Sequence, residues 1–348
     1  MTRGIGKGRI SKWWALLPLL ALLLDGCGLK GQVSSDRPEF MPALTVNGET
    51  LLWGPEIKPE ALQMIRSSTV FCHLTMYELS DPDILRALGQ AHARGVDVKV
   101  VVDATEPHTL STGLPFLRAH GILVRTLKIP GGISHIKSLV TEDRHGLHAL
   151  LGGMNFGSYS WENHDASVYF SHAEQGFEGL FEQDYARAAG VQTEQIEYPL
   201  PLVYDDEILP AMLAAISQAR HTIAIEAFAF TSKPFIAALE AAVGRGVSVR
   251  VLLDPQQSYN RKTAQELTAA GLQVRFYTPY NSEYLHAKIL DVDQGRWVFV
   301  GSANFSLHGF SVNHEGDVAL RDAYLFGKDM DQDFTDQFAR GQAVSTES

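Results

Sequence analysis

One pattern occurs twice in this chain, and its more complete copy reads His286-Ala287-Lys288, Asp293 and Gly301-Ser302-Ala303-Asn304. The upstream copy reads His135-Ile136-Lys137, Glu142-Asp143 and Gly152-Gly153-Met154-Asn155. The two histidines are 151 residues apart, and the same offset joins Asp103 to Asp254. Similarity at one fixed period over so long a stretch indicates two copies of one supersecondary unit.

Within each copy, apolar and β-branched runs alternate with helical patterns that end at glycine. The first copy has strand-like runs at 70–74, 96–102 and 122–127, and the second has them at 222–227, 247–253 and 272–277. Strands that alternate with helices favour a parallel sheet covered by helices. We therefore expect an α/β fold of two homologous α/β/α sandwich halves with mostly parallel central sheets.

The paired residues suit displacement at a phosphodiester. On a strand, residues i and i+2 share a face, so each motif histidine is expected to point the same way as its lysine. Lys137 and Lys288 supply positive charge for nonbridging oxygens, and Asn155 and Asn304 supply neutral donors. One imidazole would attack phosphorus and the other would protonate the leaving alcohol. This chemistry requires neither a metal nor a cofactor.

Each imidazole also needs an acceptor for its second nitrogen. The candidates are Asp165 and Glu315, in the matched triplets Asn163-His164-Asp165 and Asn313-His314-Glu315. A loop carboxylate without this role is the alternative. His164 and His314 are expected at the polar rim of the site.

The sequence from about residue 45 to 342 resembles the phospholipase D superfamily, whose members carry a duplicated His-x-Lys-x4-Asp pattern followed by Gly-Gly/Ser-x-Asn. The second copy matches fully, including Asp293 and Ser302, whereas the first has Glu142 in register and Asp143 one position later. The resemblance implies a pseudo-twofold axis through one shared active site. It also implies that the acid of the motif is structural, and that His135 is the nucleophile with His286 as acid and base.

The first residues predict export. Four basic residues precede the apolar run 13–24, which is too short for the roughly 20 residues of a membrane span. Leu24-Asp25-Gly26-Cys27 resembles a bacterial lipoprotein processing site, so Cys27 is the predicted lipid anchor in the periplasm or cell envelope; the alternative is an ordinary secretory signal. The resulting domains are a signal (1–27), a tether (28–44), two repeats (45–196 and 197–342) and a tail (343–348).

The net charge of −11 disfavours a broad nucleic-acid surface, because such surfaces are basic. The leading hypothesis is a phospholipase D-like phosphodiesterase that hydrolyses or transfers a phospholipid head group. An exported non-specific endonuclease and a cardiolipin-synthase-type phosphatidyltransferase are the alternatives, and an inactive ligand-binding lipoprotein is a third. The partners are then a phospholipid and the anchoring membrane. One chain holds both motifs, so we expect a monomer.

Overall fold

The computed structural model describes residues 43–345. The predicted signal segment, Cys27 and the tether up to residue 42 lie outside the described residues. Between residues 43 and 345, no helix is both long enough and apolar enough to cross a membrane.

The N-terminal half contains eight strands and four α-helices. In chain order they are β1 (Leu44–Val46), β2 (Glu49–Trp53), α1 (Ile57–Ser67), β3 (Phe71–Met76), α2 (Pro82–Ala93), β4 (Asp97–Asp103), α3 (Leu114–Ala119), β5 (Leu123–Leu127), β6 (Lys137–Asp143), β7 (Gly146–Gly152), β8 (Ala166–Phe170) and α4 (Gln175–Arg187).

The C-terminal half repeats this order with one strand instead of two before its first helix, one additional short helix and one additional strand at its end. Its elements are β9 (Leu202–Tyr204), α5 (Ile208–Ser217), β10 (Thr222–Ala227), α6 (Lys233–Gly244), β11 (Ser248–Leu253), α7 (Asn260–Ala269), β12 (Gln273–Phe276), β13 (Lys288–Val292), β14 (Trp297–Gly301), α8 (Leu307–Ser311), β15 (Gly316–Arg321), α9 (Tyr324–Arg340) and β16 (Gln342–Ala343).

Each half is built on one eight-stranded sheet. The strand orders are β1-β2-β8-β7-β6-β3-β4-β5 and β16-β12-β11-β10-β13-β14-β15-β9. The predicted α/β class and the two homologous halves are confirmed, but the sheets are mixed rather than mostly parallel. Only β3-β4-β5 and β10-β11-β12 are parallel, because helices connect them, whereas β6-β7 and β13-β14 are joined by tight turns and run antiparallel.

The helix ends follow the sequence signals. Gly95 and Gly246, which follow α2 and α6, both have a φ of 89°, a left-handed conformation that suits glycine at the end of a helix. The sequence therefore marked these two helix ends correctly.

Three large apolar clusters make up most of the core. Two of them lie within one half each, between a sheet and its helices, and the third is built from both halves. This shared cluster contains Ile136 and Leu151 from the first half and Ala287 and Val300 from the second. Because these residues flank the two motifs, the shared core fixes one motif against the other.

Candidate active site

The main chain at each motif histidine is paired with the other half of the molecule. The N–H of His135 donates to the carbonyl of His314 at 2.8 Å, and the N–H of His286 donates to the carbonyl of His164 at 2.9 Å. Strands β6 and β13 accordingly begin at Lys137 and Lys288 rather than at the histidines. The expectation that histidine and lysine lie on one strand is wrong by two residues, because the histidine hydrogen bonds cross between the halves.

The side chain of each motif histidine is also held by a carboxylate of the other half. His135 Nδ1 lies 2.9 Å from Glu315 Oε2, and His286 Nδ1 lies 2.7 Å from Asp165 Oδ2. A carboxylate at Nδ1 favours the tautomer with its proton there, which leaves Nε2 with a free lone pair. The two acids predicted from sequence are therefore brought to the imidazoles, in a crossed pairing that the sequence did not indicate.

Neighbouring groups fix both carboxylates. Glu315 accepts hydrogen bonds from Ser302 Oγ at 2.5 Å and from Asn313 Nδ2 at 3.0 Å. Asp165 Oδ1 accepts the N–H of Ala166 at 2.9 Å and lies only 2.2 Å from where a Cβ on Gly153 would be. Glycine is thus required at position 153 so that this carboxylate can approach the main chain.

The motif lysines are buried, with exposed fractions of 3% for Lys137 and 1% for Lys288. Burial lowers the pKa of Lys137 to about 7 and that of Lys288 to about 8, although the carboxylates of Glu315 and Asp165 act in the opposite direction. Each lysine carries charge that acts on the other. The four motif side chains therefore share one electrostatic environment, in which the two buried ammonium groups would stabilise an anion.

Burial and the nearby lysine charges also lower the pKa of both motif histidines, to about 4 for His286 and well below the usual value for His135. Asn155 and Asn304 follow the glycine turns, and their side-chain amide oxygens are buried without a hydrogen-bond partner among residues 43–345. Neutral imidazoles, cationic lysines and uncommitted amides are the groups needed to bind and attack a phosphate ester.

A family model described as "Cardiolipin synthase, PLD-like domain" matches residues 61–185 and again 212–340. The chain belongs to the phospholipase D superfamily. Each matched segment contains one His-x-Lys motif, so the family assignment and the internal duplication agree.

Individual relatives of this superfamily member differ in how much of the chain they cover. Cardiolipin synthase B of Escherichia coli is 34% identical over 121 residues, 30% of this chain and only 29% of the length of that relative. Cardiolipin synthase of Clostridium perfringens is 22% identical over 337 residues, which cover 82% of this chain and 68% of that protein. A solved structure of phosphatidylserine synthase from Haemophilus influenzae shares the fold, with a TM-score of 0.64 at 15% identity, covering 87% of this chain and 88% of that one.

The acidic residue of the superfamily motif lies at the opposite end of the motif strand from the lysine. In the second half, the Asp293 carboxylate accepts the N–H groups of Arg220, His221 and Thr222, which lowers its pKa despite partial burial. In the first half, a main-chain carbonyl takes the place of this carboxylate. The main-chain carbonyl of Glu142 accepts the N–H groups of Thr69 and Val70.

The side chain of Asp143 has a separate role in the same turn of the first half. It accepts the N–H of His145 and pairs with His148 at 3.1 Å. Neither Glu142 nor Asp143 thus supplies a carboxylate equivalent to that of Asp293.

His164 and His314 are not rim residues. Both are buried, with exposed fractions of 2% and 1%, and both are held by carboxylates. The sequence suggested a polar rim because histidines in loops are usually hydrated, but here the two loops pass through the junction between the halves.

Several residues of the site were missed or underrated in the sequence. Tyr77 and Phe228 occupy matching positions 151 residues apart, and their rings lie 5.0 and 4.9 Å from those of His135 and His286. Asp317 is fully buried, and its pKa is raised to about 7 by burial. The offset of 151 would have found the aromatic pair, but nothing local marks Asp317.

Asp103 and Asp254 cap the turns after their strands and also hold the segments that lead into the motifs. Asp103 accepts the N–H of Ser134 at 2.7 Å and Asp254 that of Leu285 at 2.9 Å. Each aspartate therefore holds the residue immediately before a motif histidine, a contact between distant segments that local patterns do not reveal.

Two groups of side chains in the described part of the chain have the spacing of metal ligands. They are His73 with Glu178 and Glu182, and His164 with Glu226 and Asp333. Lys99 lies 3.4 Å from Glu182, and its ammonium group neutralises part of the first group. The carboxylates raise the pKa of His164 well above its usual value against the effect of burial, and a protonated imidazole has no lone pair for a metal.

Proposed function

We propose that this chain breaks the phosphodiester bond of a phospholipid head group through a phosphohistidine and passes the phosphatidyl group to water or to an alcohol. The observation that carries the proposal is the pair of crossed His–carboxylate contacts, His135–Glu315 and His286–Asp165, placed beside two buried lysines. Two equivalent imidazoles on one anion site suit a reaction with two displacements at the same phosphorus.

Binding of the diester prepares the site for chemistry. In the free site, the positive charges of the lysines disfavour protonation of both histidines. The negative charge of a bound phosphodiester raises the pKa of these lysines and histidines together, because each protonated form gains an opposite charge nearby. Asn155 and Asn304 then donate amide hydrogens to the nonbridging oxygens, where charge grows in the transition state.

The first displacement forms a bond between nitrogen and phosphorus. His135 Nε2 attacks phosphorus, while its Nδ1 keeps its proton and donates it in a hydrogen bond to Glu315, whose carboxylate stabilises the positive charge that forms on the ring. The bond from phosphorus to the head-group oxygen breaks, and His286 transfers its Nε2 proton to that oxygen. His286 is then neutral, and Asp165 keeps its ring in position.

The second displacement reverses these roles. Neutral His286 takes a proton from the incoming water or alcohol, whose oxygen attacks phosphorus, and the bond to His135 Nε2 breaks. Water gives phosphatidic acid, whereas the hydroxyl group of a second lipid gives the transfer reaction named by the cardiolipin synthase relatives. Both outcomes use the same phosphohistidine.

The proposal includes export and anchoring through Cys27, which would hold the site close to its lipid substrate. A monomer suffices, since one chain supplies both motifs and both carboxylates.

The test is to incubate the purified protein, with chelator present, with bis(p-nitrophenyl) phosphate, phosphatidylethanolamine vesicles or phosphatidylglycerol vesicles, and separately with plasmid DNA. We expect phosphatidic acid or cardiolipin from the vesicles, no cleavage of DNA, and loss of both lipid reactions in His135→Ala and His286→Ala. Cleavage of DNA with inert vesicles would replace this proposal by the endonuclease alternative. No turnover of any diester would remove the catalytic proposal.

A further inference from the structure

His164 and His314 are buried charged groups that the reaction does not use directly. His314 Nε2 lies 2.9 Å from Asp184, and its Nδ1 lies 2.8 Å from Asp205. Burial alone would lower the pKa of His314, but these two carboxylates outweigh it and raise the pKa to about 10. At neutral pH this ring is therefore an imidazolium ion between two carboxylates.

The other half contains a related arrangement, in which both carboxylates approach the same ring nitrogen. His164 Nε2 lies 2.7 Å from Glu226 and 3.3 Å from Asp333, and the ring is stacked between Trp53 and Tyr277 with 5.5 Å between centroids on each side. Again the carboxylates raise the pKa above its usual value against the effect of burial. The molecule thus contains a buried imidazolium in each of its two crossing loops.

Duplication explains only half of this agreement. Asp184 and Asp333 lie at corresponding places in α4 and α9, but the second carboxylates do not correspond to each other. At an offset of 151, the counterparts of Glu226 and Asp205 are Thr75 and Gly54. The two halves have therefore reached the same charge balance with residues from different positions, which a simple copy of an ancestral contact would not produce.

Asp205 also occupies a backbone conformation that is uncommon for its residue type. Its φ is 51°, and its counterpart Gly54 has a φ of 44°. Aspartate tolerates this left-handed region better than most residues but is less suited to it than glycine. The carboxylate of Asp205 accepts both the ring N–H of His314 and the N–H of Glu315, so the side chain holds the loop at two points.

Each of these loops holds a motif histidine of the other half at two places. The carbonyl of His314 accepts the N–H of His135, and the next side chain, Glu315, accepts from His135 Nδ1. The carbonyl of His164 accepts the N–H groups of His286 and Ala287, and Asp165 accepts from His286 Nδ1. The position of each buried imidazolium is therefore transmitted to the backbone and the ring of one motif histidine.

We propose that His164 and His314 are positioning residues, each a buried imidazolium held by two carboxylates that fixes the motif histidine of the opposite half, with His314 acting on His135 and His164 acting on His286. This inference rests on the proposed function for its kinetic readout, but not for its structural one. Substitution of His314 is expected to impair the nucleophile and substitution of His164 the acid, because the two groups are held by different loops.

The test compares His314→Gln and His164→Gln with His73→Gln as matched control. His73 is also buried, pairs with Glu178 at 2.8 Å, and is stacked between Phe71 and Phe181, but it lies in β3, where its register partner in β6 is Val140, three residues beyond Lys137. All three variants lose a buried histidine–carboxylate contact. Their melting temperatures, measured first, set an assay temperature at which each variant is folded.

For the kinetic readout, kcat and KM are measured with bis(p-nitrophenyl) phosphate, which has a good leaving group, and with phosphatidylethanolamine in micelles, which has a poor one. We expect His164→Gln and His314→Gln to lower kcat about tenfold or more with KM nearly unchanged, while His73→Gln leaves kcat unchanged. His164→Gln should be the more damaging with the poor leaving group, since the displaced alkoxide needs the proton of His286. Equal kcat values in all folded variants would overturn the proposal.

For the readout independent of activity, NMR of protein with ¹⁵N-labelled histidine reports the tautomers of His135 and His286, assigned from the His135→Gln and His286→Gln spectra. We expect His314→Gln to disturb only the His135 resonances and His164→Gln only those of His286. If neither changes, the positioning role is wrong whether or not the protein turns over lipid. If a glutamine variant does not fold, Asp184→Asn and Asp333→Asn, which remove one carboxylate and leave the imidazole, take its place in both readouts.

Discussion

The two halves have nearly the same motif residues, but the side chains beside the motifs differ. We call these side chains, at positions 77 and 78 in the first half and 228 and 229 in the second, the walls of the site. Next to the N-terminal motif stand Tyr77 and Glu78, and at the matching positions next to the C-terminal motif stand Phe228 and Ala229. The lysine ammonium groups lie over the two rings at similar distances, 5.4 Å for Lys137 over Tyr77 and 5.2 Å for Lys288 over Phe228. At these matching positions the aromatic contact is therefore shared, whereas the phenol and the carboxylate occur only in the N-terminal half.

This difference shows where the symmetry of the molecule must break. A phosphodiester of a lipid has two unlike alcohols, and a symmetric pair of imidazoles cannot distinguish them. Burial and the charge of Glu106 raise the pKa of Glu78, so the N-terminal wall carries acidic groups close to the anion site, whereas the C-terminal wall is apolar and aromatic. The two ends of a bound substrate would therefore meet the same motif residues but different walls.

Removal of either motif histidine should have the largest effect on the reaction. We expect His135→Ala and His286→Ala each to lower kcat about 10⁴-fold or more, because residues that act as one unit are not additive. A phosphohistidine trapped by a denaturing alkaline quench, which preserves the acid-labile nitrogen–phosphorus bond, should survive only in the variant that retains the nucleophile. The assignment of His135 as the nucleophile fails if the phosphohistidine forms in His135→Ala and does not form in His286→Ala.

The crossed carboxylates come next in expected effect. Glu315→Gln and Asp165→Asn retain the shape but remove the charge that stabilises the imidazolium, and we expect a loss of about 10²- to 10⁴-fold in kcat. Glu60→Gln, a partly buried carboxylate outside the site, is the matched control and should be silent. Near-normal kcat in Glu315→Gln would show that the 2.9 Å contact to His135 does not contribute to the reaction.

A pH profile sharpens the comparison of the two lysines. Each must be protonated to hold an anion, and burial lowers the pKa of Lys137 to about 7 and that of Lys288 to about 8 in the free site. Because kcat/KM reports the free enzyme, in which the pKa of His286 is about 4, it should already decline with rising pH as this acid loses its proton. From about pH 7 to 9 the decline should steepen, by up to tenfold per pH unit for each lysine that loses its proton. In Lys137→Arg, whose guanidinium stays charged, this steepening should begin at higher pH. A profile that stays flat to pH 9 would contradict the proposed role of the lysines.

The smallest effect concerns the walls themselves. Glu78 interacts electrostatically with Lys137, so its negative charge opposes the binding of an anionic diester. We expect Glu78→Gln to lower KM for bis(p-nitrophenyl) phosphate about two- to fivefold at low salt, with the difference shrinking as salt screens it. Phe228→Tyr, which adds a hydroxyl without a charge, should leave KM unchanged. An increase in KM for Glu78→Gln would show that the carboxylate helps to bind the substrate.

The sequence predicted most of this architecture because the information is local or strictly periodic. The offset of 151 identified two copies, and glycines such as Gly95 and Gly246 marked helix ends. It also selected the motif residues and the acids Asp165 and Glu315. Strand direction was wrong in part, since the periodicity of a strand does not record whether its neighbour is reached through a helix or a tight turn.

The sequence does not reveal that the carboxylates of one half contact the histidines of the other. Nothing near Asp165 indicates that it serves His286, 121 residues away, rather than His135. Burial of His164 and His314 was missed for the same reason, because their carboxylate partners lie 62 to 169 residues away in the sequence and belong to other elements. These contacts depend on how the two sheets meet.

The crossed pairing of His135 with Glu315 and His286 with Asp165 has a consequence for inheritance. Once a duplicated chain has exchanged these contacts, neither copy can lose its acidic triplet without disabling the histidine of its sister. Loss of one repeat would leave each surviving histidine without its carboxylate unless a second molecule supplied it. The walls of the two copies can diverge, but each copy depends on the carboxylate of the other, so neither repeat can be lost alone.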